Sequence, residues 1–356
     1  MLQPSETGGE TMTLSMVSSL MLVVTTACNL SCRYCYEGGR RSGEFMSLDT
    51  ALCALDAAAL GGKPFHVQFT GGEPLLAANL VFAVLEHIHA EALPATTAIQ
   101  TNGILLNRDA VRKFREHRTA VGISVDGLPG IQERMRGQSA ATYRAMRILD
   151  DEGVPFSVTT VLSAVNTGEL AKLAMALHSW PMASAIGLDL LVRKGSAFPG
   201  SGIEPPEEAL LRQGIGGLLG TLDLLNRERR HPLVLREKQL VQRALKNAVP
   251  AAPYCSACTG ASLAVTPGGE LYPCTQTMGD PDFFLGTLAR PDMSPSRTFA
   301  GASPVRGGCS GCVLEGRCPG DCPSRMHYNR GNQCDLVCTL YRTIYDYCKQ
   351  TGEIPS

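Results

Sequence analysis

Cys28-Asn29-Leu30-Ser31-Cys32-Arg33-Tyr34-Cys35 follows the apolar run Leu20-Met21-Leu22-Val23-Val24. A run this short, rich in branched residues and bounded by Thr25-Thr26-Ala27, reads as a buried strand, so the three thiols fall on the loop at its C-terminal end. Three thiolates on one loop can hold three corners of a 4Fe–4S cube, which ordinarily takes four Cys. The fourth iron then has no protein ligand and is open to a small molecule, whereas a closed cluster mainly carries electrons. The competing occupant is zinc, which prefers four protein ligands and CxxC pairs.

The rest of the chain favours iron. With 356 residues, length suggests about two domains. An apolar fraction of 44% and a charged fraction of 18% describe an ordinary globular protein, and a net charge of −1 gives no electrostatic case for nucleic acid or an anionic membrane as partner. The fourteen Cys form two dense groups, with only Cys53 between Cys35 and Cys255. Secreted disulfide scaffolds are short, so this clustering points to metal ligation in a reducing cytoplasm. The hydrophobic stretch that ends at Cys28 lacks a basic leading segment, and Thr25-Thr26-Ala27 is a poor processing site. It is also well short of the ~20 residues a membrane span needs. Residues 1–17 are expected to be a disordered tail, with Met12 or Met16 as alternative starts.

From residue 20 onward, short apolar runs alternate with amphipathic stretches. Strands are expected over 20–25, 66–70, 96–101, 120–125, 156–162 and 187–192. Helices are expected over 49–60, 78–91, 107–117, 142–152 and 169–180. This rhythm predicts right-handed βαβ units around a parallel sheet, and six units in this length fit an open, partial (β/α)6 barrel of TIM type. In such barrels function gathers on the loops after the strands. The barrel is assigned to 18–235. The remainder, 236–356, is read as a linker helix over 235–248, a break at Pro250-Ala251-Ala252-Pro253, and a Cys-rich domain whose folding energy comes largely from metal sites.

The loop Cys28-x3-Cys32-x2-Cys35 after a first strand resembles that of the radical S-adenosylmethionine (radical SAM) enzymes. The resemblance implies that the amino and carboxylate groups of S-adenosylmethionine (AdoMet) chelate the open iron. An electron from the cluster then cleaves the sulfonium, and the 5′-deoxyadenosyl radical takes a hydrogen atom from substrate. Tyr34 matches the family position that packs against adenine. Gly71-Gly72-Glu73-Pro74 resembles the family's GGEP, which receives the AdoMet amino group; glycines let carbonyls approach a ligand closely, and Glu73 can accept from an ammonium. Gln100-Thr101-Asn102-Gly103 resembles its QTNG, and Ser124-Val125-Asp126-Gly127 its Ser-(Ile/Val)-Asp-Gly, whose serine approaches the carboxylate or ribose. The segment running to Arg134-Met135-Arg136-Gly137 also matches, with Arg136 carried forward as the partner of the AdoMet carboxylate. A surface salt bridge suits either arginine as well.

Ten residues separate Cys258 from Gly269, and four separate Gly269 from Cys274. Then come Cys309-x2-Cys312-x5-Cys318-x3-Cys322 and a last Cys. This resembles the SPASM domain, which implies two auxiliary 4Fe–4S clusters with interleaved ligands. One takes Cys255, Cys258, Cys274 and Cys322; the other takes Cys309, Cys312, Cys318 and Cys338, with Cys334 competing for the last place. Without Cys255 the first would keep an open iron able to hold a substrate thiolate. Three clusters of this kind use eleven of the fourteen thiols, leaving Cys53, Cys334 and Cys348. Cys53, among Ala and Leu, is expected to be a buried inert thiol; Cys334 and Cys348 read equally as spare ligands or surface cysteines.

SPASM-bearing relatives mostly modify ribosomally made peptides or a residue in a partner protein. Enzymes that make formylglycine from Cys or Ser, the anaerobic sulfatase-maturating group, carry an acid directly after the Cys of GX4C. Here that place holds Thr275, followed by Gln276. The stretch from Cys258 to Cys274 and Leu285-Gly286-Thr287-Leu288 resemble thioether-forming maturases instead. The resemblance therefore implies oxidative crosslinking of a peptide, by a thioether or carbon–carbon bond, with the auxiliary clusters accepting the electron; formylglycine formation is the alternative. A non-catalytic iron–sulfur scaffold would have no use for Gly71-Gly72-Glu73-Pro74. No general base is identifiable. Expected partners are a precursor peptide or partner protein, an electron donor such as a flavodoxin or ferredoxin, and, since no winged helix precedes the first strand, a separate leader-binding protein or the barrel rim.

Overall fold

Six strands lie side by side in chain order and all run parallel: β1 (Ser19–Thr25), β2 (Phe65–Gly71), β3 (Ala95–Thr101), β4 (Ala120–Ser124), β5 (Phe156–Leu162) and β6 (Ala183–Leu190). The chain is seen here as a computed structural model that describes residues 16–38, 43–246, 253–294, 309–329 and 334–354. Helices α1 (Leu48–Ala59), α2 (Ala78–Ala90) and α3 (Arg108–Glu116) follow the first three strands. A pair, α4 (Pro129–Met135) and α5 (Ser139–Asp151), follows β4, and α6 (Leu170–His178) follows β5. The order β1 to β6 along the sheet leaves an arc, the partial barrel expected. Buried alternate residues such as Leu20, Leu22, Val67, Phe69, Ile99, Ile123, Phe156 and Val158 form its packed core. Side-chain caps start the helices where the sequence supplies them: Ser47 accepts from the Thr50 N–H, and Asn107 from that of Ala110.

Strand β6 departs from expectation. It begins at Ala183, four residues before the predicted start, and ends at Leu190. The Ala/Ser-rich beginning carries little strand propensity and is recruited by pairing with β5. The apolar Leu191-Val192 leaves the ladder because Asn329 captures it: its Nδ2 donates to the Leu191 carbonyl at 2.8 Å, and its Oδ1 accepts from the Arg193 N–H at 2.7 Å. The seven-residue α4, with Pro129 in its first turn, was not foreseen at all.

The sheet extends beyond the barrel at both edges. After α7 (Glu208–Leu225), the two-residue β7 (Val234–Leu235) joins β6 and leads into α8 (Arg236–Lys246). At the other edge β8 (Ser262–Val265) pairs in parallel with β1 and turns back as β9 (Leu271–Tyr272), so the Cys-rich segment shares one nine-stranded sheet with the barrel. It continues through the small ladder β10 (Gly286–Thr287) with β11 (Arg290–Pro291), then α9 (Pro323–Tyr328) and α10 (Cys334–Gln350). Helix α10 packs along α7, and Tyr347 donates to Asp223 at 2.6 Å.

Residues 1–15 of the expected tail, and Pro250-Ala251-Ala252 at the expected break, lie outside the described residues, but Val17 is already buried. Cys53 is exposed, contrary to expectation, because α1 buries Ala51, Ala54, Leu55 and Ala58 and Cys53 projects from the other side. Cys348 is the reverse case: it shares the buried face of α10 with Tyr341 and Ile344. Among the described residues no helix is long and apolar enough to cross a membrane.

Candidate active site

At the C-terminal ends of the strands a cavity of about 200 Å³ opens, and Cys28, Cys32 and Cys35 all lie on its wall. Neighbouring backbone holds their loop. The Arg33 N–H donates to the Met135 carbonyl at 2.9 Å, and the Cys35 carbonyl accepts from the N–H groups of Gly38 and Ser196 at 3.0 and 2.8 Å. The closest approach is from the turn after β2. A Cβ on Gly71 would stand 2.1 Å from the Thr25 carbonyl oxygen, and one on Gly72 2.1 Å from that of Ala27. Gly71 also has φ +134°, so only glycine fits there without strain.

Of the residues expected to receive AdoMet, Tyr34, Gly71, Gly72, Glu73, Gln100, Asn102, Ser124 and Arg136 all reach this cavity. Glu73 does so in an unexpected way. Its side chain is buried, Oε1 accepts from the Leu75 N–H and the Thr101 hydroxyl at 3.1 and 2.6 Å, and Oε2 accepts from the Asn102 N–H at 2.8 Å. These bonds pin the turn after β2 to the end of β3. Burial raises the Glu73 pKa above the usual carboxylate range, although those three donors oppose it. Gln100 donates to the Ser124 hydroxyl at 3.0 Å and accepts from Thr159 at 3.3 Å. Asn102 reaches back to Asn29 of the thiol loop at 2.8 Å.

Pro74 and Asp126 are not among the residues that line the wall. Pro74 opens a buried 3-10 turn, Pro74–Ala77. Asp126 is buried behind the cavity, where it accepts from the Tyr34 hydroxyl, from Arg136 Nε at 2.9 Å and from the Val161 N–H at 3.1 Å. The Arg136 guanidinium lies 5.1 Å from the Tyr34 ring centroid, while Arg134 is exposed. Burial works against the Arg136 charge, but Asp126, Tyr34 and Cys32 together outweigh it and the pKa is raised.

The three thiols suit an iron cube. Burial pushes the Cys32 thiol up to about 11; Arg136 opposes this, while Cys35, Asp126 and Cys28 push the same way. Coordination deprotonates a thiol outright, and the guanidinium offsets part of the charge that results.

The C-terminal thiols gather in two sets of four. Cys255 Sγ is 3.9 Å from Cys258 Sγ. Burial pushes Cys274 up to about 12, with further contributions from Cys322 and Cys255. Separately, Cys318 is pushed up to about 11 by burial and then, against a donor from Gly320, by Cys338, Cys312 and Cys309. Cys334 begins α10, and its side chain lies outside the described residues. Among the described residues no group of three or more His, Cys, Asp or Glu is placed to hold a single metal ion; the thiolates of a cube each bind a separate iron.

Sequence reasoning missed the far rim of the cavity, formed by Asp189, Leu190, Leu191 and Val192 at the end of β6 and by Gln276 just past Cys274. Lys194 fastens the two: it is buried, and its Nζ donates to the Gln276 and Met278 carbonyls at 2.5 and 3.0 Å. Next to it, the Ser324 hydroxyl bonds the Gln276 side chain, which lies 3.7 Å from Cys322 Sγ. No local pattern announces these residues, since their meeting depends on where the Cys-rich segment docks.

The family model for the radical SAM superfamily matches residues 22–177. An uncharacterized protein of Methanocaldococcus jannaschii is 32% identical over 268 residues, 73% of this chain and 85% of that protein. A serine-type anaerobic sulfatase-maturating enzyme of Klebsiella aerogenes is 25% identical over 366 aligned positions, 92% of this chain and 84% of that enzyme. Among solved structures, native anSMEcpe with bound AdoMet and Cp18Cys peptide superposes with a TM-score of 0.75 at 19% identity, covering 94% of this chain and 97% of that one. Streptococcus suis SuiB bound to its precursor peptide SuiA superposes with a TM-score of 0.66 at 13% identity, covering 90% and 74%. At these identities the structures speak for the fold.

Proposed function

Because this chain belongs to the radical SAM superfamily and is an enzyme of that family, we propose that it oxidises a residue in a peptide or partner protein, closing a thioether or carbon–carbon crosslink. The observation that carries this reading is the single cavity bounded on one side by Cys28, Cys32, Cys35 and the strand-end motifs and on the other by Gln276, next to the Cys274 and Cys322 thiols. Such a cavity lets a substrate side chain lie between an AdoMet site and a second metal site.

Cys28, Cys32 and Cys35 would hold the AdoMet-binding cluster; Cys255, Cys258, Cys274 and Cys322 one auxiliary cluster; and Cys309, Cys312, Cys318 and Cys338 the other. When bound, these groups supply the electron that cleaves AdoMet to a hydrogen-abstracting radical and an acceptor for the electron that substrate gives up. The chain's own residues do the rest. Gly71 and Gly72 offer backbone carbonyls at close range, and Glu73, on the cavity wall, holds that turn in register with Asn102. Arg136, positioned by Asp126, presents a fixed positive charge suited to a carboxylate. Gln100 orients the Ser124 hydroxyl. Leu190, Leu191 and Val192 supply an apolar wall that keeps water from a reactive carbon.

Relatives support a peptide as substrate, since SuiB and anSMEcpe are each seen with one bound. Formylglycine formation is favoured by a different observation, the end-to-end likeness to sulfatase-maturating enzymes. Against it stand Thr275 and Gln276, neither of which is acidic.

Anaerobically reconstituted enzyme tests the reading. Changing Cys28, Cys32 and Cys35 together to Ala abolishes 5′-deoxyadenosine formation while auxiliary iron remains. Continued formation in that variant overturns the assignment. Mass spectrometry of a treated Cys- and Ser-containing peptide separates the outcomes: a crosslink retains sulfur and joins two fragments, whereas formylglycine is an aldehyde that hydroxylamine traps.

A further inference from the structure

Thioether and formylglycine formation each involve a substrate X–H group, a thiol or hydroxyl, that must shed a proton as a substrate carbon is oxidised, and the Thr275 hydroxyl is no base at neutral pH. Three carboxylates lie on the cavity wall: Glu37, Glu73 and Asp189. Glu73 is committed to Leu75, Thr101 and Asn102. Glu37 also faces a crevice against Gly72, Thr275 and Met278 that has no room for even a water-sized group. Asp189 differs from both. It stands on β6, on the far rim, with its side chain 38% exposed. Oδ1 accepts from Arg236 Nη2 at 2.8 Å, and Oδ2 makes no hydrogen bond among the described residues. We propose that Asp189 is a catalytic residue: the base that takes the proton from the thiol or hydroxyl of the substrate residue.

The surroundings suit that task. Arg236 also donates to the Leu188 carbonyl at 3.0 Å and pairs with the buried Glu237 at 2.8 Å. The guanidinium thus fixes the direction of Asp189, and it keeps Glu237 as counter-ion when Asp189 becomes neutral, so proton uptake strands no charge. Asp189 interacts electrostatically with Tyr254, the residue before Cys255, and Arg325 lies 5.8 Å from the Tyr254 ring while bonding the Leu190 carbonyl at 3.4 Å. The proton acceptor therefore stands on the side of the cavity that leads to the Cys255, Cys258, Cys274 and Cys322 thiols.

The step balances. One hydrogen atom leaves carbon for the AdoMet-derived radical, one proton leaves X–H for Asp189, and one electron leaves for an acceptor of the iron–sulfur class. The X–H bond breaks, and either a C–X bond or a carbon–heteroatom double bond forms. This assignment rests on the peptide reading above.

The test uses full-length reconstituted enzyme, AdoMet, a reductant, and a synthetic Cys-containing peptide deuterated at Cα and Cβ of every residue. Asp189→Asn is expected to keep moving deuterium into 5′-deoxyadenosine while oxidised peptide per 5′-deoxyadenosine falls about 100-fold, the low end of what a general base contributes. Asp189→Glu, which preserves the pairing with Arg236, is expected to recover part of the yield. Should Asp189→Asn fail to hold iron, Asp189→Glu carries the test, with a yield per 5′-deoxyadenosine below wild type but well above background. Unchanged yield in Asp189→Asn, or Asp189→Glu that cleaves AdoMet normally with no oxidised peptide above background, overturns Asp189 and leaves the peptide reading standing. Wild-type enzyme that cleaves AdoMet but takes no deuterium from the peptide overturns the peptide reading, and the base with it.

Discussion

The Ala27 carbonyl and Gly72 meet backbone to backbone: a Cβ on Gly72 would lie 2.1 Å from that oxygen, which also accepts the Glu73 N–H at 2.9 Å. The first thiol of the loop is the next residue after Ala27, so the turn after β2 sets the height at which Cys28 stands over the cavity. Gly72→Ala is expected to cost about 1–3 kcal/mol through overpacking and to abolish AdoMet cleavage by displacing the loop. Gly130→Ala, where a Cβ meets nothing within 4 Å, is the matched control and should leave cleavage intact. Denaturant unfolding and a 5′-deoxyadenosine assay read both.

Asp126 and Arg136 form an almost wholly buried pair, with side-chain exposures of 0% and 10%. Asp126→Ala leaves the guanidinium and the Tyr34 hydroxyl without their partner, and stability should drop by about 3–5 kcal/mol. Arg136→Met strands the buried Asp126 carboxylate, to which Tyr34 and Val161 still donate, so it should also cost about 3–5 kcal/mol of stability. It weakens AdoMet binding as well, because a ligand carboxylate loses its counter-charge. Urea titration set beside equilibrium AdoMet binding separates the two.

Lys194 is the pin between the barrel rim and the Cys-rich segment. In Lys194→Met the Gln276 and Met278 carbonyls lose their donor, which should cost about 1–3 kcal/mol. Hydrogen exchange should accelerate around 275–278 and leave β2 and β3 unaffected. Uniform acceleration across the sheet would mean that the pin is a general stabiliser.

Iron content tests the second thiol set. Cys338→Ala is expected to lower iron from about twelve to about eight per chain, one 4Fe–4S cube. Cys53→Ala, at an exposed site on α1, should change nothing. An unchanged iron content in Cys338→Ala would hand the last ligand place to another thiol.

What the sequence determined by itself is what lies close in the chain. The strand that delivers Cys28, Cys32 and Cys35, the turns after β2, β3 and β4, and the helix rhythm all appear as short patterns, because strand burial, caps and glycine turns are set by neighbouring residues. Decisions between distant segments needed the tertiary structure. Ala183–Ile186 is strand only because β5 offers it a ladder. Arg136 rather than Arg134 faces the cavity because α4 turns it there. Glu73 became a clamp because Asn102, twenty-nine residues on, donates to it. Ser262–Val265 extends the barrel sheet because the edge of β1 was open. Asp189 and Gln276 met at one cavity for the same kind of reason: packing across the molecule, which no local spacing encodes, brought the end of β6 against the Cys-rich segment.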